Sequence, residues 1–238
     1  MRFNRVIALG LFFSSVALQA QDDNMFSWLN HAKPVETTDR LVSLGVHKDV
    51  AEQVTIAESP LIQWRPIRTE SQQTSAIMFL PCTALGAHLY LMVHKMDWRV
   101  SDTVDLECYY DDSVSFELAS IRKAKIDEVL IHHASEGHGT GFSQQNFKVF
   151  RITDGKLKTV LDTEEVVLAA PYDGPERHEH SVFVVVPDQS TKSPGQIEQT
   201  RSVLVGDTLS VQRRYFYWKP PAGRYTPSRF IAVSPKHD

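Results

Sequence analysis

The spacing of apolar residues changes character near Pro60. Before it, residues 35 to 58 carry apolar side chains at helical intervals, and Thr38 or Asp39 is placed to cap a turn that runs through Leu44 and Gly45. The clearest helical stretch runs from Lys48 to Glu58. Because proline restricts the residue before it, the pattern predicts that the helical segment ends there.

After Pro60, short runs of β-type residues alternate with turn signals, as in all-β domains. The chain therefore predicts a mainly β fold of antiparallel sheets, arranged as a sandwich, a barrel or a propeller-like meander, with a short N-terminal helical segment. The predicted strands are 61–68, 75–82, 88–96, 103–110, 114–122, 127–133, 145–153, 156–161, 181–187, 197–205 and 208–218.

Two hairpins are marked by their turn residues. Asp154-Gly155 and Gly206-Asp207 each stand between two apolar runs, and such pairs favour tight turns whose twist suits paired strands. Residues 171–179 and 188–199 are rich in turn-forming residues and predict exposed loops.

The N-terminus has the three parts of a secretory signal peptide. Arg2 and Arg5 precede an apolar run from Val6 to Ala17, and Ala20 marks the expected cleavage point. That run of twelve residues is shorter than the roughly twenty that a spanning helix needs. The predicted organisation is a signal peptide (1–20), a helical or irregular segment (21–60) and a β domain (61–238), secreted or periplasmic and not membrane-spanning.

Cys82 and Cys108 are the only cysteines. In an oxidising compartment two cysteines on neighbouring β segments most simply form one disulfide. The alternative is a pair of buried free thiols that behave as small hydrophobic side chains.

Charge is unevenly distributed along the chain. The full sequence has 25 basic and 29 acidic side chains, and removal of Arg2 and Arg5 leaves 23 minus 29, a net charge of −6. Residues 100–121 contain six acidic and no basic side chains, whereas 213–229 contain five basic and no acidic ones. Net negative charge and secretion argue against nucleic acid as the partner.

Histidines supply the candidate metal ligands. Successive strand residues point to opposite faces, so His132 and His133 cannot hold the same ion. His133 and His138 could combine with His178 and His180, which are two residues apart where a predicted loop enters the strand 181–187, so that they could share one face. The competing interpretation is that the glycines of 137–141 form a turn and the histidines are solvated.

The last predicted strand carries arginine and aromatic side chains on both faces, a composition found at protein and carbohydrate interfaces. The candidate binding residues are Arg213, Arg214, Tyr215, Tyr217 and Trp218. Alternatively, the aromatic rings fill the core while the arginines pair with the acidic segment 100–121.

Two functional hypotheses result. The first is a secreted, non-catalytic binding or structural β domain with an unknown protein or carbohydrate partner and no cofactor. The second is a metal-assisted hydrolase built on the histidine cluster; the sequence carries neither a Gly-X-Ser-X-Gly nucleophile motif nor a His-Glu-X-X-His zinc motif.

Overall fold

The computed structural model describes residues 31–56, 62–71, 73–108, 113–122, 126–136, 142–169, 177–186 and 195–233. Within these ranges, two helices precede the strands, α1 (Pro34–Leu44) and α2 (Lys48–Ile56). Thirteen strands follow: β1 (Gln63–Ile67), β2 (Ser75–Thr83), β3 (Gly86–His94), β4 (Trp98–Leu106), β5 (Ser113–Ala119), β6 (Glu128–Glu136), β7 (Phe142–Thr153), β8 (Lys156–Ala169), β9 (Arg177–Val186), β10 (Gln196–Val205), β11 (Thr208–Lys219), β12 (Arg224–Pro227) and β13 (Ile231–Ala232).

The strands described are all paired antiparallel, and they confirm the predicted mainly β class of antiparallel sheets. Strands β1 to β4 form one sheet in chain order, and β5 to β12 form a second sheet that also follows chain order, with β13 beside β11. Among the described residues, two pairs join β8 to β9, Leu168 with His178 and Ala169 with Arg177. The larger sheet therefore divides into two parts, β5–β8 and β9–β13.

The helices and the sheet parts form successive layers. Leu41, Val54 and other apolar side chains of the helices share a core with Met78 and Trp98 of the first sheet. The opposite face of that sheet packs on β5–β8, for example through Phe79 and Phe116, whose ring centroids are 5.7 Å apart. Strands β5–β8 are thus covered on both faces, since their other side packs on β9–β12.

The third core contains the side chains that join β6–β8 to β9–β12. Phe147 of β7 stacks on Phe183 of β9 with ring centroids 4.2 Å apart. Phe216 of β11 and Tyr225 of β12 are buried in the same cluster as Leu130. This packing leaves the opposite face of β9–β11 turned outward.

Disulfide bonding between Cys82 and Cys108 is confirmed, and their Cα atoms are 5.9 Å apart. Both predicted hairpins are also present. Asp154 and Gly155 have φ values of 53° and 71°, which matches a tight turn with two left-handed residues, and Gly206 has a φ of 56°.

Three boundaries differ from the predictions. Helix α1 begins at Pro34, whose fixed φ suits the first helical position, and the Thr38 hydroxyl donates to the Pro34 carbonyl rather than capping the helix. Strands β9 and β10 begin at Arg177 and Gln196, inside segments predicted as loops, because the pairing of β9 with β10 extends over both. The predicted signal peptide lies outside the described residues.

Candidate binding site

The adjacent histidines of β6 divide between its two faces. His132 packs against Phe147, with ring centroids 4.8 Å apart, and its Nε2 lies 3.5 Å from Glu117 Oε1. His133 is on the other face, because successive strand residues alternate. It aligns with Val114 of β5 and Asn146 of β7.

The other candidate ligands lie elsewhere in the larger sheet. His178 and His180 are exposed on one face of β9, and strands β7 and β8 lie between β9 and β6. His138 lies outside the described residues. Within the described part of the chain, no three His, Cys, Asp or Glu side chains are grouped so that they could hold a metal ion. The four-histidine site stays a prediction.

The candidate residues of β11 separate by face. Arg213, Tyr215 and Tyr217 point outward, whereas Arg214, Phe216 and Trp218 point toward β5–β8. Arg213 Nε lies 3.0 Å from Glu198 Oε1, and Arg214 Nε donates to Gln199 Oε1 at 2.6 Å. The contacts described for both arginines therefore lie within the same sheet rather than on the acidic segment.

The acidic segment has its own partners. Asp105 Oδ1 lies 2.8 Å from His88 Nδ1, and Asp102 accepts a hydrogen bond from the Leu157 amide at 2.7 Å. Glu117 is the neighbour of His132. The opposite charges of the two segments suggested that they pair, but the contacts described for Asp102, Asp105 and Glu117 go to other strands and not to the basic segment 213–229.

We use the name outer face for the outward surface of β9, β10, β11 and β13. The strand register aligns side chains across this face. Val184 lies beside Glu198, which lies beside Tyr215. Val182 begins a second aligned set, which continues through Thr200, Arg213 and Ile231. Exposed fractions are 50% for Val184, 47% for Val182, 62% for Ile231, 64% for Leu209 and 39% for Tyr217. Tyr215 and Tyr217 have ring centroids 6.2 Å apart. The face combines aliphatic, tyrosine and ion-paired side chains.

The inward side of β9–β11 carries a polar network that the sequence did not reveal. Buried Glu179 pairs with Arg177 and Arg201. Buried Gln199 donates a hydrogen bond from Nε2 to Ser181 Oγ at 3.0 Å. The guanidinium carbon of Arg201 lies 4.1 Å from the centroid of the Phe230 ring. Nothing in the local composition distinguishes Glu179 from a solvated acid, because its arginine partner at position 201 comes from the next strand.

A second buried group connects β12 to β6. Glu128 accepts hydrogen bonds from Tyr225 Oη at 2.7 Å and from Arg122 Nε at 3.0 Å. The guanidinium carbon of Arg122 lies 3.8 Å from the centroid of the Trp218 ring. Burial raises the pKa of Tyr225, and neighbouring Glu128 raises it further, so the phenol stays a neutral donor. Trp218 is therefore part of the packing between layers.

Beside this group, a cleft of about 500 Å³ opens between β8 and β12. Its walls are formed by Thr159, Val160, Leu161, Asp162, Thr163, Arg214, Phe216 and residues 224–227. Both backbone segments are strand margins, because the described pairs of β8 with β9 involve only residues 168 and 169 and those of β12 only β11.

Comparison of the chain with models of protein families, with curated proteins and with solved structures finds no match in any of the three. No helix in the described ranges has the length and apolar character needed to cross a membrane.

Proposed function

We propose that this protein is a secreted, non-catalytic binding domain and that the outer face contacts a protein partner. The observation that carries the proposal is the exposure of Val182, Val184, Leu209 and Ile231 on one sheet face, while β5–β8 are covered on both sides. Exposed apolar side chains grouped on one surface are typical of interaction sites.

The composition of the face favours a protein over a carbohydrate. Sugars stack mainly on aromatic rings, and this face offers two tyrosines among a larger number of aliphatic side chains. Tyrosine and arginine are common among the residues that dominate protein interfaces. The Arg213–Glu198 ion pair would orient the guanidinium group beside Tyr215.

We expect the partner in the compartment to which this protein is exported. The charge and hydropathy pattern of residues 1–20 and the Cys82–Cys108 disulfide both suit an oxidising compartment. N-terminal sequencing of the exported protein is expected to begin at Gln21. An exported protein that retained Met1 would contradict the predicted cleavage.

Site-specific photo-crosslinking in the producing cells tests the binding surface. A photoreactive amino acid at Val184 or Leu209 is expected to give a discrete adduct. The same group at Met96 serves as control, because Met96 is apolar, 99% exposed and lies in the turn between β3 and β4, away from the outer face. Loss of the Val184 adduct when Tyr217→Glu is added would support the face as the contact surface. Equal adducts from all three positions, or none from Val184 and Leu209, would overturn the proposal.

A further inference from the structure

Two neighbouring rows of side chains cross the middle of the outer face. The strand register places Val184, Glu198 and Tyr215 in the first row, and Val182, Thr200 and Arg213 in the second. The rows are two residues apart along each strand, about 7 Å. The first row carries an acid and the second a base, and Arg213 Nε lies 3.0 Å from Glu198 Oε1. The two rows together are therefore neutral, with opposite charge in each.

This difference between the rows becomes complementarity when two copies of the face meet. If a twofold axis runs across the strands between the rows, the first row of each copy lies over the second row of the other. The facing pairs are then Val184 with Val182, Glu198 with Thr200, and Tyr215 with Arg213. Arg213 of one copy also comes within one strand of Glu198 of the other. Valine thus meets valine, and each charge meets a neutral side chain beside an opposite charge.

The size of the face suits a contact between two copies. Strands β9 and β10 have ten residues each. At about 3.4 Å per residue and 4.8 Å between strands, four neighbouring strands of this length present a planar area of roughly 600 Å². Projecting side chains make the accessible area larger than the planar area, so the face approaches the roughly 800 Å² that each partner contributes to a stable interface.

We propose that the outer face binds a second copy of this chain, so that the two sheets pack face to face about a twofold axis. The inference rests on the proposed function, because it names the protein partner of the same surface. Neutral rows of alternating charge favour a second copy over a partner with one predominant charge. In the dimer, each Arg213 lies between Glu198 of its own chain and Glu198 of the second copy.

Sedimentation velocity of the full exported protein at increasing concentration tests the inference. We expect the wild type to shift from monomer to dimer. Val184→Lys is expected to weaken self-association about tenfold or more, because an ammonium group would be buried against Val182 of the second copy. Met96→Lys is the matched control, since it adds the same cation at an apolar residue that is 99% exposed in the turn between β3 and β4. Its self-association should equal that of the wild type.

Two charge reversals test the pairing of the rows directly. Glu198→Arg makes both rows basic and Arg213→Glu makes both acidic, so each variant alone is expected to stay monomeric through like-charge repulsion. Mixed in equal amounts, the two variants are expected to form a heterodimer, because every charge then faces its opposite on the other chain. Circular dichroism checks that each variant is folded before mixing.

The inference fails if the wild type stays monomeric up to about 500 µM, a concentration at which a dimer with a micromolar Kd is almost fully formed. Equal self-association of Val184→Lys and Met96→Lys, or folded charge variants that do not associate when mixed, also overturns it. A monomeric wild type whose Val184 adduct contains a different protein overturns the second copy but supports the outer face as a binding surface. Absence of adducts from both Val184 and Leu209 overturns the proposed function and this inference with it.

Discussion

Asp127 and Glu128 are neighbouring residues with buried carboxylates that join β6 to different parts of the molecule. Asp127 accepts hydrogen bonds from the Arg68 guanidinium at 2.6 and 3.0 Å and from Ser120 at 2.8 Å, which ties the end of β1 to the start of β6. Glu128 binds Tyr225 of β12. Two consecutive side chains thus fix the central layer to the layers on both sides of it.

Asp127→Asn is expected to lower the free energy of unfolding by about 2 kcal/mol at neutral pH, because the amide cannot replace the charge-assisted hydrogen bonds. The loss is not expected to be larger, because Arg68 is largely exposed and solvent weakens its ion pair. Burial alone would raise the pKa of Asp127, but the hydrogen bonds from Arg68 and Ser120 lower it below its ordinary value of 3.8. Urea unfolding across pH measures the difference between wild type and variant.

The sign of the pH dependence follows from the lowered pKa. Stabilisation by ionised Asp127 is complete above the unfolded pKa near 3.8 and is lost as pH falls through the lower folded value. The difference between wild type and Asp127→Asn should therefore shrink only below about pH 4. Exposed Asp39→Asn is the control and should cost little. A gap that persisted unchanged at pH 2 would contradict this account.

Tyr225→Phe is expected to cost about 1 to 2 kcal/mol of unfolding free energy, because it removes one of the two described hydrogen bonds to buried Glu128. Tyr217→Phe removes the same hydroxyl from an exposed ring and should leave stability unchanged. Thermal unfolding followed by circular dichroism compares the two. Equal effects would mean that the Glu128 contact contributes nothing specific.

At the level of elements, two glycines in left-handed turns are expected to tolerate alanine differently. Gly86 begins β3 with a φ of +89°, and a Cβ there would lie 2.7 Å from the Leu106 carbonyl oxygen. Gly206 has a φ of +56° and open space around it. Alanine at Gly206 should cost about 1 kcal/mol from the backbone conformation alone, whereas alanine at Gly86 should cost about 3 kcal/mol or more because the neighbouring backbone must move.

Denaturant midpoints of Gly86→Ala and Gly206→Ala check this ranking under identical conditions. Similar midpoints would show that the β3–β4 contact relaxes without penalty.

Local sequence patterns predicted most strands and turns well, but they did not predict which distant elements these strands contact. Asp154-Gly155 specified its hairpin because the turn residues alone determine the required φ values. Strands β12 and β13 were not predicted, since they contain four and two residues and depend on pairing with β11. The pairing of Arg68 with Asp127 joins residues 59 positions apart, a relation that no local pattern contains.

The same reason limits prediction of the site. Alternation along β11 correctly indicated two distinct faces, but it could not say which one another layer would cover. Trp218 packs near Tyr225, with ring centroids 5.3 Å apart, while Tyr217 stays exposed. The cleft at Arg224 arises where two strand margins meet, so its existence depends on tertiary structure alone.

On the scale of the whole molecule, the disulfide closes the smaller sheet. Cys82 on β2 is bonded to Cys108 just after β4, across a separation of 26 residues. Replacing both cysteines with alanine is expected to lower the free energy of unfolding by about 3 to 4 kcal/mol, because the unfolded chain regains the freedom that the loop removes. Urea unfolding with and without reductant measures the effect: reductant should destabilise the wild type and leave the double variant unchanged.

Chain-order pairing has a consequence for assembly. From β1 to β4 and again from β5 to β12, each strand bonds to the next strand in the sequence. Closing a short connection costs less entropy than joining distant segments, and folds rich in such local contacts form quickly. We therefore expect the sheets to grow hairpin by hairpin as the chain emerges N-terminus first, with the bond from Tyr225 back to Glu128, 97 residues earlier, among the last contacts to form.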